Sequence, residues 1–145
     1  MATTTPNFGW TVPTSSDLVK NGATAIETLG DAVDASIAGL TVNAQTGTTY
    51  TAVKADGLNA IVTMDNASAN TFSIPTDATY AFPTGTTLLV YQKGAGVTTI
   101  QAASSGTTTV VSAGAVAAAP VLARYKSAAC IKIAANSWIV VGAIA

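Results

Sequence analysis

The hydrophobic pattern divides the chain into three segments. Residues 1–13 show neither a helical nor a strand period, because threonine, proline and glycine interrupt every apolar run. Residues 14–40 place apolar side chains three, four and seven positions apart, the spacing of one helix face. From 41 to 145, short β-type runs alternate with turn residues. The pattern therefore predicts a mainly β protein with an extended arm (1–13), a helix (14–40) and a β-domain (41–145).

The apolar stripe of the predicted helix is narrow, closer to a coiled-coil seam than to the wide face of a helix on a globular core. It consists of Val19, Ile26, Leu29, Val33, Ile37 and Leu40. Glu27, Asp31 and Asp34 repel one another on a neighbouring face. Gly22 and Gly30 each weaken the helix by about 1 kcal/mol relative to alanine. We expect so marginal a helix to self-associate; the alternative is that it packs back on its own domain.

The β-type runs of the C-terminal segment recur without an intervening helix, which predicts an antiparallel β-sandwich or a barrel-like domain. The predicted strands lie near residues 47–54, 60–64, 70–74, 86–92, 97–102, 107–111, 121–126, 128–134 and 137–143. The last two runs form the clearest hairpin. Ile139, Val140 and Val141 make the final strand apolar on both faces, so we expect it to be central in the core or covered by another subunit.

The composition suits a chain that works inside a large assembly. Charged residues are 9% of the sequence, against about 25% for an ordinary soluble domain. A surface so poor in charge is expected to lie largely against neighbouring molecules. The net charge of −1 and the scattered basic residues argue against a nucleic-acid partner.

The sequence predicts no membrane partner. The first residues lack the features of a signal peptide, and the longest apolar stretches, 113–123 and 138–145, are shorter than the roughly 20 residues of a spanning helix. The single cysteine, Cys130, is expected to be a buried core residue rather than a reactive thiol. We therefore expect a soluble chain made in a reducing cytoplasm.

Histidine is absent, which removes much of the catalytic repertoire. No Ser-His-Asp or Cys-His unit can form, and one cysteine cannot build a zinc site. Asp56, Asp65 and Asp77 stand in turns, where a carboxylate binds nearby backbone amides; their spacing does not favour a glycosidase pair or a calcium loop. Gly94-Ala95-Gly96 precedes a strand, so it is interpreted as a hairpin turn rather than a phosphate loop. We expect a non-enzymatic protein without a cofactor or metal.

The stretch TTTPNFGWTVPTSSDLVKNGATAIETLGDAVDASI resembles the N-terminal segment of small tail- and fibre-type structural proteins of bacteriophages. The similarity rests on a TPN-aromatic-G-W start, a PT dipeptide and the small and apolar residues that follow in order. NASANTFSIP, PTGTTLLV and the closing SWIVVGAIA resemble, more loosely, a β-domain that often ends phage appendage proteins. The resemblance implies a virion structural protein, usually homotrimeric, made in the host bacterial cytoplasm and anchored by its N-terminus.

The resemblance also implies roles for particular residues. The docking element would be Pro6, Phe8, Trp10, Val12 and Pro13. The alternative for Trp10 is that it folds back onto its own domain. The apolar stripe of the helix, from Val19 to Leu40, would line a trimer axis, and its β-branched residues favour more than two strands although Leu29 weakens that signal.

Two functions follow from this resemblance. The first is a capsid decoration or head-fibre protein, whose partners are copies of itself and phage capsid proteins. The alternative is a minor tail or tail-fibre protein whose β-domain binds a host surface glycan. Aromatic side chains that could form a glycan platform are Tyr50, Tyr80, Phe82, Tyr91 and Tyr125. The sequence leaves the choice between head and tail open.

Overall fold

The computed structural model describes residues 3–6, 8–14, 19–113 and 118–145. It divides the chain into two compact units, Met1–Leu40 and Thr41–Ala145. The hydrophobic pattern changes at the same position. The first unit consists of a small hairpin and one helix, and the second contains two β-sheets.

The N-terminal arm folds into a hairpin. Its strands are β1 (Thr3–Thr4) and β2 (Thr11–Val12), which pair antiparallel. Between them the Thr5 N–H donates to the Trp10 carbonyl at 2.9 Å, and Gly9 takes a positive φ of 70° that a side chain would disfavour. The predicted extended arm is therefore corrected: its two ends are extended, but the glycine turn reverses the chain between them.

The helix of this unit is shorter than the predicted span of 14–40. A 3-10 turn at Val19–Asn21 leads into α1 (Gly22–Ile37), and the last helical bond joins the Ala38 N–H to the Asp34 carbonyl at 3.0 Å. Val19 and Leu40 consequently flank α1 rather than belong to it. The predicted helical residues 15–18 lie outside the described residues.

The C-terminal unit consists of two sheets. Its strands are β3 (Thr41–Gln45), β4 (Thr49–Thr51), β5 (Ala60–Met64), β6 (Asn70–Ile74), β7 (Thr87–Gln92), β8 (Thr98–Ala102), β9 (Thr109–Ser112), β10 (Val121–Leu122), β11 (Ser127–Ala134) and β12 (Ser137–Gly142). The larger sheet has the order β3-β5-β7-β11-β12-β9 and the smaller one β10-β8-β6-β4. The prediction of a mainly β protein is confirmed, and every predicted strand overlaps an observed one. The strand β3 was not predicted.

The predicted antiparallel pairing occurs in only part of the domain. Successive strands alternate between the sheets, so that β3, β5 and β7 run parallel in the larger sheet and β4, β6 and β8 run parallel in the smaller one. The connection Gly94-Ala95-Gly96 therefore joins two sheets and is not a hairpin turn. Short strands between turns look the same in the sequence whether the next strand pairs with its predecessor or crosses to the opposite sheet.

The antiparallel part of the larger sheet contains the predicted C-terminal hairpin, which is confirmed. β11 pairs with β12 on one side and with β7 on the other, and Asn136 turns the chain with a φ of 48°. β12 lies between β11 and β9, so it is an interior strand.

The hydrophobic core lies in the C-terminal unit and is formed by the side chains of alternate residues of its strands. β5 and β6 both alternate strictly between buried and half-buried positions. The largest fully buried apolar side chains are Trp138, Phe72, Met64, Ile74, Leu88, Ile100 and Leu122. Cys130 is buried as predicted, and burial raises the pKa of its thiol to about 12.

Candidate interaction surfaces

Two aromatic rings of the N-terminal hairpin stack on each other, and one of them is hydrogen-bonded to α1. The rings of Phe8 and Trp10 stack with centroids 4.8 Å apart and an angle of 20° between their planes. The Trp10 Nε1–H donates to Ser36 Oγ at 3.0 Å, and Ser36 Oγ donates to the Ala32 carbonyl at 2.7 Å. Phe8 stays 42% exposed while Trp10 is half-buried. The ring of Trp10 therefore folds back within its own unit, and Phe8 forms the outer layer of the pair.

The other residues predicted to anchor the chain surround this aromatic pair along the hairpin. Val12 is half-buried in β2, whereas Pro6 and Pro13 are exposed. The structure thus gathers the five predicted docking residues on one short hairpin.

The predicted stripe of α1 is largely open. None of the residues of this helix is buried, and Ile26 and Ile37 are 65% and 72% exposed. Leu29 and Val33 are half-buried. Val19 and Leu40, which flank α1, are also exposed. The described part of the first unit therefore encloses no residue of this stripe.

The outward face of the larger sheet is aliphatic, and we call it the aliphatic face. Its first cross-strand row is Val42, Ile61, Leu89, Ala129 and Val141, which are neighbours in register across five strands. Its second row is Ile131, Ile139 and Val111. Val42, Val111 and Val141 are between 47% and 62% exposed. Only the contribution of β12 to this face was predicted from the sequence.

The outward face of the smaller sheet is hydroxyl-rich, and we call it the hydroxyl face. One cross-strand row there is Thr49, Thr71, Thr99 and Val121, and a second is Thr51, Ser73 and Gln101. The two outward faces of one domain therefore differ in chemistry: hydroxyl and amide groups predominate on one, and aliphatic groups on the other.

Two shallow depressions mark the aliphatic face. One, of about 360 Å³, lies over Ala129 and is bordered by Ile61 and Leu89. The other, of about 370 Å³, is lined by Val111, Ile139 and Ile144 among others. Val141 and Gly142 border both depressions.

Asp56 is the centre of a polar cluster at the edge of the core. It is 2% exposed, and it accepts hydrogen bonds from Tyr50 Oη at 2.7 Å, Asn43 Nδ2 at 2.7 Å and the Val53 N–H at 2.8 Å. Burial, followed by the hydrogen bond to Asp56, raises the pKa of Tyr50 to about 12. All these contacts join β3, β4 and the following turn, so the cluster stabilises the beginning of the domain.

Asp77 is part of a second polar cluster. Lys132 is only 4% exposed, and its Nζ donates to Asp77 Oδ1 and to the Phe82 carbonyl, both at 2.6 Å. Asp77 Oδ2 accepts from the Asn136 N–H at 3.0 Å, and the Asp77 N–H donates to Asn136 Oδ1 at 2.8 Å. This cluster ties the loop after β6 to the β11–β12 hairpin. Asp65, the third turn aspartate, pairs at the surface with Lys93 at 2.8 Å.

The five candidate aromatics for glycan binding do not share one surface. Phe82 is buried edge-on against Trp138 with centroids 5.6 Å apart, and Tyr50 belongs to the Asp56 cluster. Tyr80 and Tyr91 are half-buried. Tyr125 is 61% exposed and has a φ of 63°, and the Arg124 guanidinium lies 4.5 Å from its ring centroid. Tyr125 is therefore the member of the set that presents an open ring.

Within the described ranges, no group of three histidine, cysteine, aspartate or glutamate side chains is placed to hold a metal ion. Among the helices that the structure describes, none has the length and apolar character needed to cross a membrane. Comparison of the chain with protein-family models, with curated proteins and with solved structures finds no match.

Proposed function

We propose that this chain is a non-enzymatic structural protein of a bacteriophage virion, a homotrimeric capsid decoration or head-fibre protein anchored by its N-terminal hairpin. Its partners are copies of itself and phage capsid proteins. The observation that carries the proposal is the open stripe of α1, because a helix with no buried residue and with exposed Ile26 and Ile37 requires a partner.

The length and the sequence of α1 make this requirement strong. It has 16 residues, two of them glycines at positions 22 and 30, and Asn21 makes no side-chain capping bond. Isolated helices of about this length are marginal in water, and most helical stability in proteins comes from packing an apolar face. Three copies of α1 packed along their stripes would bury Ile26, Val33 and Ile37 together.

The hairpin supplies the anchoring surface. Its backbone is already ordered by the β1–β2 pairing and by the bond from Trp10 to Ser36, so binding costs little further conformational entropy. Phe8 offers an exposed ring backed by Trp10, and stacked aromatic pairs of this kind supply much of the buried area at protein interfaces.

Sedimentation equilibrium of the full chain tests the trimer. We expect three times the mass of one chain at micromolar concentration. Ile37→Asp should give a monomer, because it places a charge in the proposed seam. Ala35→Asp, which adds the same charge at an exposed position outside the stripe, should remain trimeric. A wild-type chain that sediments as a monomer would contradict the proposal.

A second candidate, a minor tail or tail-fibre protein that binds a host glycan, is favoured by one observation. Tyr125 is 61% exposed with the Arg124 guanidinium over its ring, and an exposed aromatic ring is the kind of group on which a sugar ring can stack. A glycan array probed with the full chain should then show signals that Tyr125→Ala abolishes and Thr99→Ala retains. An array without any signal would favour decoration over glycan binding.

A further inference from the structure

The two outward faces of the β-domain provide an internal comparison. Both belong to strands of similar length in one fold, yet threonine, serine and glutamine predominate on one, whereas two rows of the other present valine, leucine and isoleucine and only its third row carries Thr63, Tyr91 and Ser127. A face exposed to water gains nothing from a continuous aliphatic row, and hydroxyl groups are the natural choice there. The difference indicates that water contacts the hydroxyl face and that protein covers the aliphatic one.

We infer that the aliphatic face is an interface between copies of this chain, in which the face of each β-domain packs against those of the other two copies around the trimer axis. This inference deepens the proposed function, and it rests on that proposal in requiring that the chain forms a trimer. It adds a second contact surface, in the β-domain, to the one proposed for α1.

The charge pattern supports a copy of the chain as the occupant. Alternating positions that share a side with Val42, Ile61, Leu89, Ile139 and Val111 carry no charged residue in any of the six strands. Lys132, the charged residue of β11, points the other way and is buried. A heterologous partner is usually selected by complementary charge, whereas an uncharged face can pack against itself without repulsion.

The shape of the face also favours a copy of itself. Val42, Ile133 and Val111 project from the face, with exposures of 48% to 62%. The same face has two depressions, both bordered by Val141 and Gly142. Projections and depressions therefore occur on one surface, so that the projections of one copy can enter the depressions of the next copy around a three-fold axis. Adding a Cβ at Gly142 would bring it within 2.6 Å of the Ser127 carbonyl oxygen, so this position has to stay small.

The size of the face is compatible with a contact between copies. Six strands about 4.8 Å apart and about five residues long, at roughly 3.3 Å per residue, cover on the order of 450 Å² in projection. The three faces of a trimer together cover on the order of 1,350 Å², which is close to the total area of a small specific interface but is shared among three contacts. The contact would be weak alone and would act together with the association of α1, which raises the local concentration of the faces.

Cysteine protection in the full chain tests the inference. Val141→Cys places a thiol on the aliphatic face, and Gln101→Cys places a matched thiol at an exposed position of the hydroxyl face. Cys130 is buried and is the one native cysteine, so it adds no background in the folded chain. In the purified, assembled protein we expect maleimide to modify the thiol of the Val141→Cys variant at least about tenfold more slowly than that of the Gln101→Cys variant. Val111→Cys, in the second row of the face, should repeat the result.

The sedimentation mass of the same samples separates the two proposals. An oligomer in which both thiols react equally fast would overturn the aliphatic interface and leave the α1 trimer standing; the face would then be covered by another virion component. A monomer with an open aliphatic face would overturn both. A trimer protected at the aliphatic face alone supports both, because purified protein offers only copies of the chain to cover it.

Discussion

At the scale of single residues, the most informative contacts are the buried polar ones. Lys132 and Lys93 both pair with an aspartate, but Lys132 is enclosed and also donates to a backbone carbonyl, whereas Lys93 stands at the surface. Removing one partner of an enclosed pair leaves the other without compensation, while a solvated pair contributes little. The two pairs therefore allow an enclosed and a solvated lysine–aspartate pair to be compared within one domain.

We predict that Lys132→Met destabilises the β-domain by about 3 kcal/mol, because Asp77 and the Phe82 carbonyl lose their common donor. Lys93→Met should leave the free energy of unfolding unchanged. Urea unfolding followed by the fluorescence of Trp138 measures both. Equal free energies of unfolding for the two variants would show that the Asp77 cluster does not stabilise the fold.

At the scale of elements, the connection between β7 and β8 decides how the chain passes from one sheet to the other. Gln92 Nε2 donates to the carbonyls of Gly94 and Gly96 at 3.1 and 2.8 Å, and Thr98 binds both Gln92 and Asn70. The backbone of Gly96 lies so close to Ser68 that a Cβ would stand 2.0 Å from its carbonyl oxygen. The glycines of this connection allow its backbone to pack against the backbone of Asn66 and Ser68 in the preceding turn.

We predict that Gly96→Ala destabilises the domain by about 2 kcal/mol, because the new methyl group forces apart two backbone segments that cannot yield like a side chain. Gly106→Ala is the matched control, since nothing lies within 4 Å of a Cβ at that position. Thermal unfolding of the two variants tests the difference. Indistinguishable melting temperatures would contradict the close packing of Gly96.

At the scale of the whole molecule, the two units differ in their cores: within the part of the chain that the structure describes, every residue of the hydrophobic core lies in the β-domain. The β-domain encloses Phe72 and Trp138 completely, while α1 has no buried residue. The N-terminal unit is therefore the part that the proposed association would stabilise, and we expect the β-domain to keep its fold without the hairpin.

Deletion of residues 1–13 tests whether the β-domain folds without the hairpin and whether the hairpin anchors the chain. We predict that the β-domain stays folded, with Trp138 as the remaining tryptophan and the blue-shifted emission of a buried indole, because the residues of its core all lie beyond residue 40. Incorporation into phage particles should be abolished, because the deletion removes Phe8 and Trp10. Particles that still incorporate the shortened chain would show that anchoring resides elsewhere.

The strands that the sequence predicted share one property: their alternation follows from local side-chain chemistry. Runs such as 60–64 and 70–74 place apolar residues on one side at every second position, and this parity holds whatever the strand pairs with. β3 was missed because its parity is reversed: Asn43 faces inward to bind Asp56, while Val42 is 62% exposed. A polar residue with a buried partner cannot be told from a solvated one before the partner is placed.

By itself, the sequence determined the mainly β class, the change of structure at residue 41, the C-terminal hairpin and the burial of Cys130, because each depends on neighbours along the chain. Only the tertiary structure decided that successive strands alternate between sheets, and that Ile61, Leu89 and Val141 meet in one row. Those residues lie on three separate strands, and their common surface arises from register across the sheet. Register depends on contacts between distant segments, which no local pattern specifies.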